Sequence, residues 1–204
     1  MALSTTSNKD LMTQARDSLR GQWTTPVLLI LAWVVFIGLT NMVPVLAQSL
    51  LVQALVLLIS GPIQLSFAYF YLTLVREQKT DTTQIKQGFN HFLPALLTYL
   101  LMFVFIFLWS LLLIIPGIIA AYSYAVAFYV LRDNPELSAP KALARSKALM
   151  MGNRWKLFCL GCRFIGWSIL AILSLGIGIF WLIPYMQTAM VSFYEDLLRS
   201  ETET

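Results

Sequence analysis

The chain has 204 residues, 58% of them hydrophobic and 12% charged, with a formal net charge of +4. Soluble domains carry about a quarter charged residues, so this apolar excess excludes a single water-facing globule. No charge occurs from Gly21 to Val75, from Gln87 to Leu131, or from Phe164 to Tyr194, and each gap exceeds the run of about 20 apolar residues that spans a bilayer. The expected class is therefore all-α: one integral membrane domain over 1–204, a polytopic helical bundle. The basic residues gather at the borders of the apolar blocks, which favours anionic lipid headgroups over nucleic acid as their partners.

Residues 1–22 predict an N-terminal amphipathic helix. Leu11, Met12, Ala15 and Leu19 make an apolar stripe, with Arg16, Asp17 and Arg20 opposite. Residues 23–76 predict a first hairpin. One span covers about Thr24–Asn41 and a second about Leu46–Val75, interrupted by Gly61-Pro62. Thirty residues are too many for one straight crossing, so this helix is expected to kink or break; the alternative is a separate outer or re-entrant piece over Leu46–Ser60. Gln48, Gln53 and Gln64 need internal partners in either case. Val45-Leu46-Ala47 mimics a signal-peptidase site, but the apolar stretch Pro26–Leu39 is too long for a signal-peptide core of 7–15 residues. The expectation is a retained anchor serving as the first span.

Residues 77–91 form a connector containing a short amphipathic piece, Thr82–Phe89. Residues 92–132 predict the second hairpin. As one helix, the charge-free run from Phe92 to Leu131 would be about 60 Å long, twice the hydrocarbon thickness of about 30 Å, so it must cross twice. Pro116 removes a backbone donor and disfavours helix at Ile115, and Gly117 tolerates positive φ. The turn is therefore placed at Pro116-Gly117, with Trp109 as an interfacial anchor. Residues 133–154 predict a surface helix starting at Ser138. Ala139, Ala142, Leu143, Leu149 and Met150 form its apolar face, and Lys141 and Arg145 its polar one. Residues 155–198 predict the third hairpin, turning near Gly176-Ile177-Gly178, and 199–204 a tail.

Three hairpins make about six transmembrane helices. Nearly every Lys and Arg lies in the segments between hairpins and none in the opposite turns. Positively charged loops stay cytoplasmic, so both termini are expected in the cytoplasm. The hairpins also look weakly repeated. A Pro-marked helix bearing Phe-Tyr closes each one: Pro62 with Phe70-Tyr71, Pro116 with Phe128-Tyr129, Pro184 with Phe193-Tyr194. Two polar helices lead through glycine into a Trp and then a span, at Gly21…Trp23 and Gly152…Trp155. Aromatic belts and positive ends common to membrane hairpins explain part of this likeness.

No catalytic constellation emerges: no His–Glu pair at metal spacing, no Gly-rich phosphate loop, no Ser beside a base. Cys159 and Cys162 form a CxxC, but a zinc site needs about two more ligands and only the distant His91 is available. Neither a metal nor a cofactor is expected. Arg163 is the one ionisable residue placed well inside an apolar block; the expectation is snorkelling or an ion pair with Glu195 or Asp196. With no central Asp or Glu there is no obvious proton relay. Tyr69, Tyr122, Tyr124, Tyr185 and Gln187 could line a passive path, though aromatic packing accounts for them as well.

The stretches LWSLLLIIPGIIAAYSYAVAFYVLRDNPELSA, RSKALMMGNRWKLFCL, IPYMQTAMVSFYEDL and GPIQLSFAYFYLTLVR closely resemble the bacterial integral membrane family catalogued as domain of unknown function 975. The resemblance covers nearly the whole chain. It implies a multi-pass protein of the bacterial plasma membrane, distantly similar to membrane domains attached to glycerophosphodiester phosphodiesterases; those domains are not the catalytic part, so no active-site residue carries over. The expected function is a non-enzymatic module acting with lipids or a partner protein at the cytoplasmic leaflet. Lys141, Arg145, Lys147, Arg154 and Lys156 are the candidate headgroup contacts, each worth about 1 kcal/mol near an anionic surface. Expected partners are membrane lipids, anionic ones included, a membrane or cytoplasmic protein, or a second copy of the chain. The alternative is a small passive transporter or channel for an amphiphilic solute.

Overall fold

A computed structural model describes residues 3–42 and 49–202; residues 43–48, which contain the Val45-Leu46-Ala47 motif and Gln48, lie outside the described residues. The described chain is helical, in the order α1 (Asn8–Leu19), α2 (Thr24–Met42), α3 (Leu50–Glu77), α4 (Gln84–Asn90), α5 (Phe92–Leu112), α6 (Ile114–Tyr124), α7 (Ala127–Asp133), α8 (Ala139–Leu149), α9 (Arg154–Leu173) and α10 (Ile179–Thr202). Among the described residues, five stretches are long and apolar enough to cross a membrane: Thr24–Asn41, Leu50–Glu77, Phe92–Leu112, Ile114–Asp133 and Arg154–Leu173. The sixth expected crossing is α10, which is 24 residues long but carries Glu195, Asp196 and Arg199 in its second half.

The first hairpin does not close as expected. α2 packs against α10 and not chiefly against α3, while α10 also touches α3, so the last helix stands between the first two spans. The remaining long elements close a ring in which α3 packs on α5, α5 on α6, α6 on α9 and α9 on α10. α3 is continuous through Pro62; at 28 residues and 1.5 Å per residue it is about 42 Å long. There is thus no break at Ser60 among the described residues. Gly61 lets α3 meet α5: a Cβ there would lie 2.7 Å from the Ala95 carbonyl oxygen and 2.8 Å from Leu96 Cα. Small residues at such crossings are how membrane helices approach closely.

The second turn lies three residues before its predicted place. Leu113 alone is extended (φ −159°, ψ 143°) and α6 starts at Ile114. Pro116 falls in the first turn of α6, where its missing N–H removes no intrahelical bond. Gly117 is not in the left-handed region. It is needed for contact instead, because a Cβ there would strike the Ser110 hydroxyl and come within 2.8 Å of Ser110 Cα on α5. The helix then breaks again between α6 and α7. The carbonyl of Ser123 accepts a bond from the Ser146 hydroxyl of α8 at 2.9 Å, which satisfies a backbone group freed within an apolar span.

The short amphipathic helices turn their apolar faces to protein. Leu11, Ala15 and Leu19 of α1 are fully buried where α1 crosses α10 and α3. Ala139, Ala142, Leu143 and Leu149 of α8 are buried against α5, α6 and α7. Both helices lead through a positive-φ glycine, Gly21 (φ 80°) and Gly152 (φ 86°), a backbone state that costs other residues more, so the two polar-helix-to-Trp passages share a turn as well as a spelling. The third turn lies between Leu173 and Ile179, where Leu175 and Gly176 have φ of 56° and 83°.

The buried core occupies one end of the bundle, where Leu65, Phe70, Tyr71, Leu72, Phe193 and Tyr194 are among its members. Towards the tips, large apolar side chains such as Leu111, Leu112, Ile114, Leu173 and Leu175 are exposed. In a membrane that surface faces lipid chains, which are as apolar as leucine.

Candidate functional site

The charged end of the bundle is organised around Arg76, the last basic residue of α3. Its Nη1 and Nη2 donate to Asp133 Oδ1 and Oδ2, both at 2.7 Å. Its Nε donates to Glu195 Oε1 at 2.8 Å. One guanidinium therefore ties the ends of α3, α7 and α10 in a fork geometry that lysine cannot reproduce. Asp133 also accepts from the Tyr194 hydroxyl at 3.0 Å and from Arg132 Nη1 at 3.0 Å. Arg132 lies over the ring of Tyr69, 5.5 Å from its centre, a cation–π placement. The rings of Tyr129 and Tyr194 are 5.5 Å apart. Two of the three Phe-Tyr sites noted as a repeat, at Tyr129 and Tyr194, thus meet in one aromatic and ionic cluster.

A second knot fastens the N-terminal segment. The hydroxyls of Ser4 and Thr6 donate to Asp196, Lys156 Nζ lies 3.2 Å from Asp196, and the Ser4 backbone N–H donates to Asn153 Oδ1 at 2.9 Å. Burial raises the pKa of Asp196, but the hydroxyl donors and the Lys156 charge outweigh it and hold the carboxyl below the ordinary value. A carboxylate lowered in the folded state contributes stability that is present above its unfolded pKa, about 3.9, and lost as pH falls through the folded value. Asp196→Asn, or acidification below about pH 4, is therefore expected to speed amide hydrogen exchange at residues 4–8 while the spans stay protected.

Beside this base, two cavities share Arg16, Trp23 and Tyr185. One, of about 440 Å³, is otherwise lined by Trp167, Leu170, Ala171, Gly178, Trp181 and Leu182 of α9, α10 and the turn between them. The other, of about 480 Å³, is otherwise lined by Thr13 and Asp17 of α1 and by Arg20 just after it. The Tyr185 hydroxyl donates to the Met12 carbonyl at 3.2 Å, and its ring meets Phe164 edge-on at 5.2 Å; both fix the wall between them.

The five candidate headgroup cations are not brought together. Lys141 and Lys147 are exposed on α8 and make no ion pair among the described residues. Arg145 is exposed but forks onto Glu201. Lys156 belongs to the Asp196 knot, and Arg154 has its Nε buried without a partner. The structure does not join Arg163 to Glu195: Arg163 is exposed on α9, while Glu195 lies 2.7 Å from Arg76. Arg76 ends a helix and already holds Asp133 beside Glu195, so the carboxylate finds a closer cation there. In the sequence Arg76 stands only as one of the basic residues at the border of an apolar block, and no local pattern marks it as the meeting point of three helices. Cys159 and Cys162 are free thiols, and His91 sits at the junction of α4 and α5.

No curated protein and no solved structure matches the chain. A family model described as "Protein of unknown function (DUF975)" matches residues 1–120 and 110–201. With both halves matched, the chain belongs to the DUF975 family of proteins of unknown function.

Proposed function

We propose that the chain is a non-enzymatic, six-span module of the bacterial plasma membrane that works with lipids or a partner protein at the cytoplasmic leaflet. The sixth crossing is α10, with residues 179–194 in the apolar layer and its lower half sheltered by α1. Both termini lie on the cytoplasmic side, a reading supported by the charges gathered at the base and by the charge-free tips. The observation that carries the functional reading is the outward face of α8. Its apolar side is consumed by the core, which leaves Lys141 and Lys147 exposed and unpaired beside the apolar belt.

The packed interior favours this reading over a passive pathway: Phe70, Tyr71, Tyr129, Phe193 and Tyr194, all buried, fill the space between α3, α7 and α10. Neutralising both lysines (Lys141→Gln with Lys147→Gln) is expected to remove about 2 kcal/mol of attraction to an anionic surface at low salt. The number of anionic lipids retained through detergent washing, counted by native mass spectrometry, should fall several-fold at unchanged thermal stability. Equal retention by the double variant and the parent would overturn the lipid role of α8.

A further inference from the structure

The cavity pair beside α1 forms a two-compartment crevice. Its trough, between α9 and α10, is walled mainly by Trp167, Leu170, Ala171, Trp181 and Leu182, with Arg16, Trp23 and Tyr185 at the end shared with the mouth. Its mouth, on α1, is polar and carries Arg16 and Arg20 against a single acid, Asp17. Arg16 stands at the junction, shared by both compartments. It is exposed and makes no ion pair among the described residues, whereas Arg76, Arg132, Arg145 and Lys156 are all engaged. Trp23 and Tyr185 flank the same junction, the position that amphipathic rings take between apolar and wet layers.

We propose that this crevice seats one anionic phospholipid of the surrounding leaflet, with an acyl chain along Trp167, Leu170 and Trp181 and its phosphate at Arg16. The proposal rests on the membrane reading above but uses a different surface from α8. Three observations fix the chemistry of the occupant. Trp167, Leu170 and Trp181 along the trough are each about half exposed, so in a membrane they meet lipid chains and a chain reaches the trough without passing through water. Its volume lies within the range of about 300–1,000 Å³ typical of small-molecule sites. The unpaired guanidinium at its end presents the fork that binds phosphate in bidentate fashion, and the mouth holds a net positive charge. A neutral or zwitterionic lipid would fill the trough but leave that charge without a phosphate free of its own counter-charge.

The test is native mass spectrometry of the full chain in mild detergent, titrated with phosphatidylglycerol, phosphatidylcholine or a free fatty acid. In the Lys141→Gln, Lys147→Gln background, which removes the α8 contacts, the protein should retain one phosphatidylglycerol at least about fivefold more tightly than phosphatidylcholine. Arg16→Gln with Arg20→Gln should abolish that preference and leave phosphatidylcholine binding unchanged, while Trp167→Ala should weaken both lipids. Neither arginine makes an ion pair among the described residues, so thermal stability should hold. If the arginine variant keeps the preference, the site is wrong; if the fatty acid outcompetes phosphatidylglycerol, the phospholipid assignment is wrong. The α8 double variant separates this site from the broader reading. Loss at Arg16 with no change at α8 leaves the crevice standing alone, and the reverse result removes the crevice only.

Discussion

Arg76→Ala is expected to lower the stability of the bundle by about 2–3 kcal/mol. Removing one partner of a fully buried ion pair costs about 3–5 kcal/mol, because the other charge is left desolvated. Arg76 has a side chain 31% exposed, against 17% for Asp133 and 19% for Glu195, so part of that cost is relieved by solvent. Two carboxylates would then face each other, with only Arg132 and the Tyr194 hydroxyl in support of Asp133. For a chain of this size the loss corresponds to a melting shift of roughly 5–10 °C, measurable by thermal unfolding in detergent. Arg76→Lys should recover only part of it, since an ammonium cannot engage both Asp133 oxygens and Glu195 together. In a double-mutant cycle, Arg76→Ala with Asp133→Asn should cost much less than the sum of the single changes. Additive costs, or a melting point unmoved by Arg76→Ala, would mean that the three helix ends are not tied in this way.

Gly61→Val should cost a comparable amount for a different reason. The added Cβ meets backbone atoms of α5, the Ala95 oxygen at 2.7 Å and the Ala95 carbon at 2.9 Å, and backbone cannot rotate aside as a side chain would. Overpacking typically costs 1–3 kcal/mol, and here the relief must come from moving a whole helix away from α3. Expected outcomes are a lower melting temperature and faster proteolysis in the α4–α5 region. Gly161→Val is the matched control, because nothing lies within 4 Å of a Cβ built at Gly161. Equal behaviour of the two variants would show that the α3–α5 crossing is looser than these distances.

The sequence carried the apolar crossings because they rest on length and absence of charge, which no packing detail can override. Phe92–Leu131 is too long for one crossing, and it divides into α5 followed by α6 and α7. The position of the turn was less legible. Pro116-Gly117 is compatible with a turn, but also with the first helical turn, and the choice was made by Gly117 fitting against Ser110. The amphipathic stripes fall on α1 and α8, yet a stripe alone does not say whether water, lipid or protein lies opposite. Leu11 and Ala142 are as suited to a protein core as to a membrane surface, and the core took them. Pairing was legible least of all. Nothing in the spacing announces that α10 slips between α2 and α3, or that Glu195 meets Arg76 instead of Arg163, because both follow from how helices distant in the chain are arranged.

The central position of α10 has a consequence for biosynthesis. Among the described helices α10 is made last, so α2 and α3 are complete before the neighbour that divides them exists. The Asp196 knot on Ser4 and Thr6 likewise forms only once Asp196 itself has been made. Until α10 is made, the flanks of α2 and α3 that it later covers have no protein neighbour on that side.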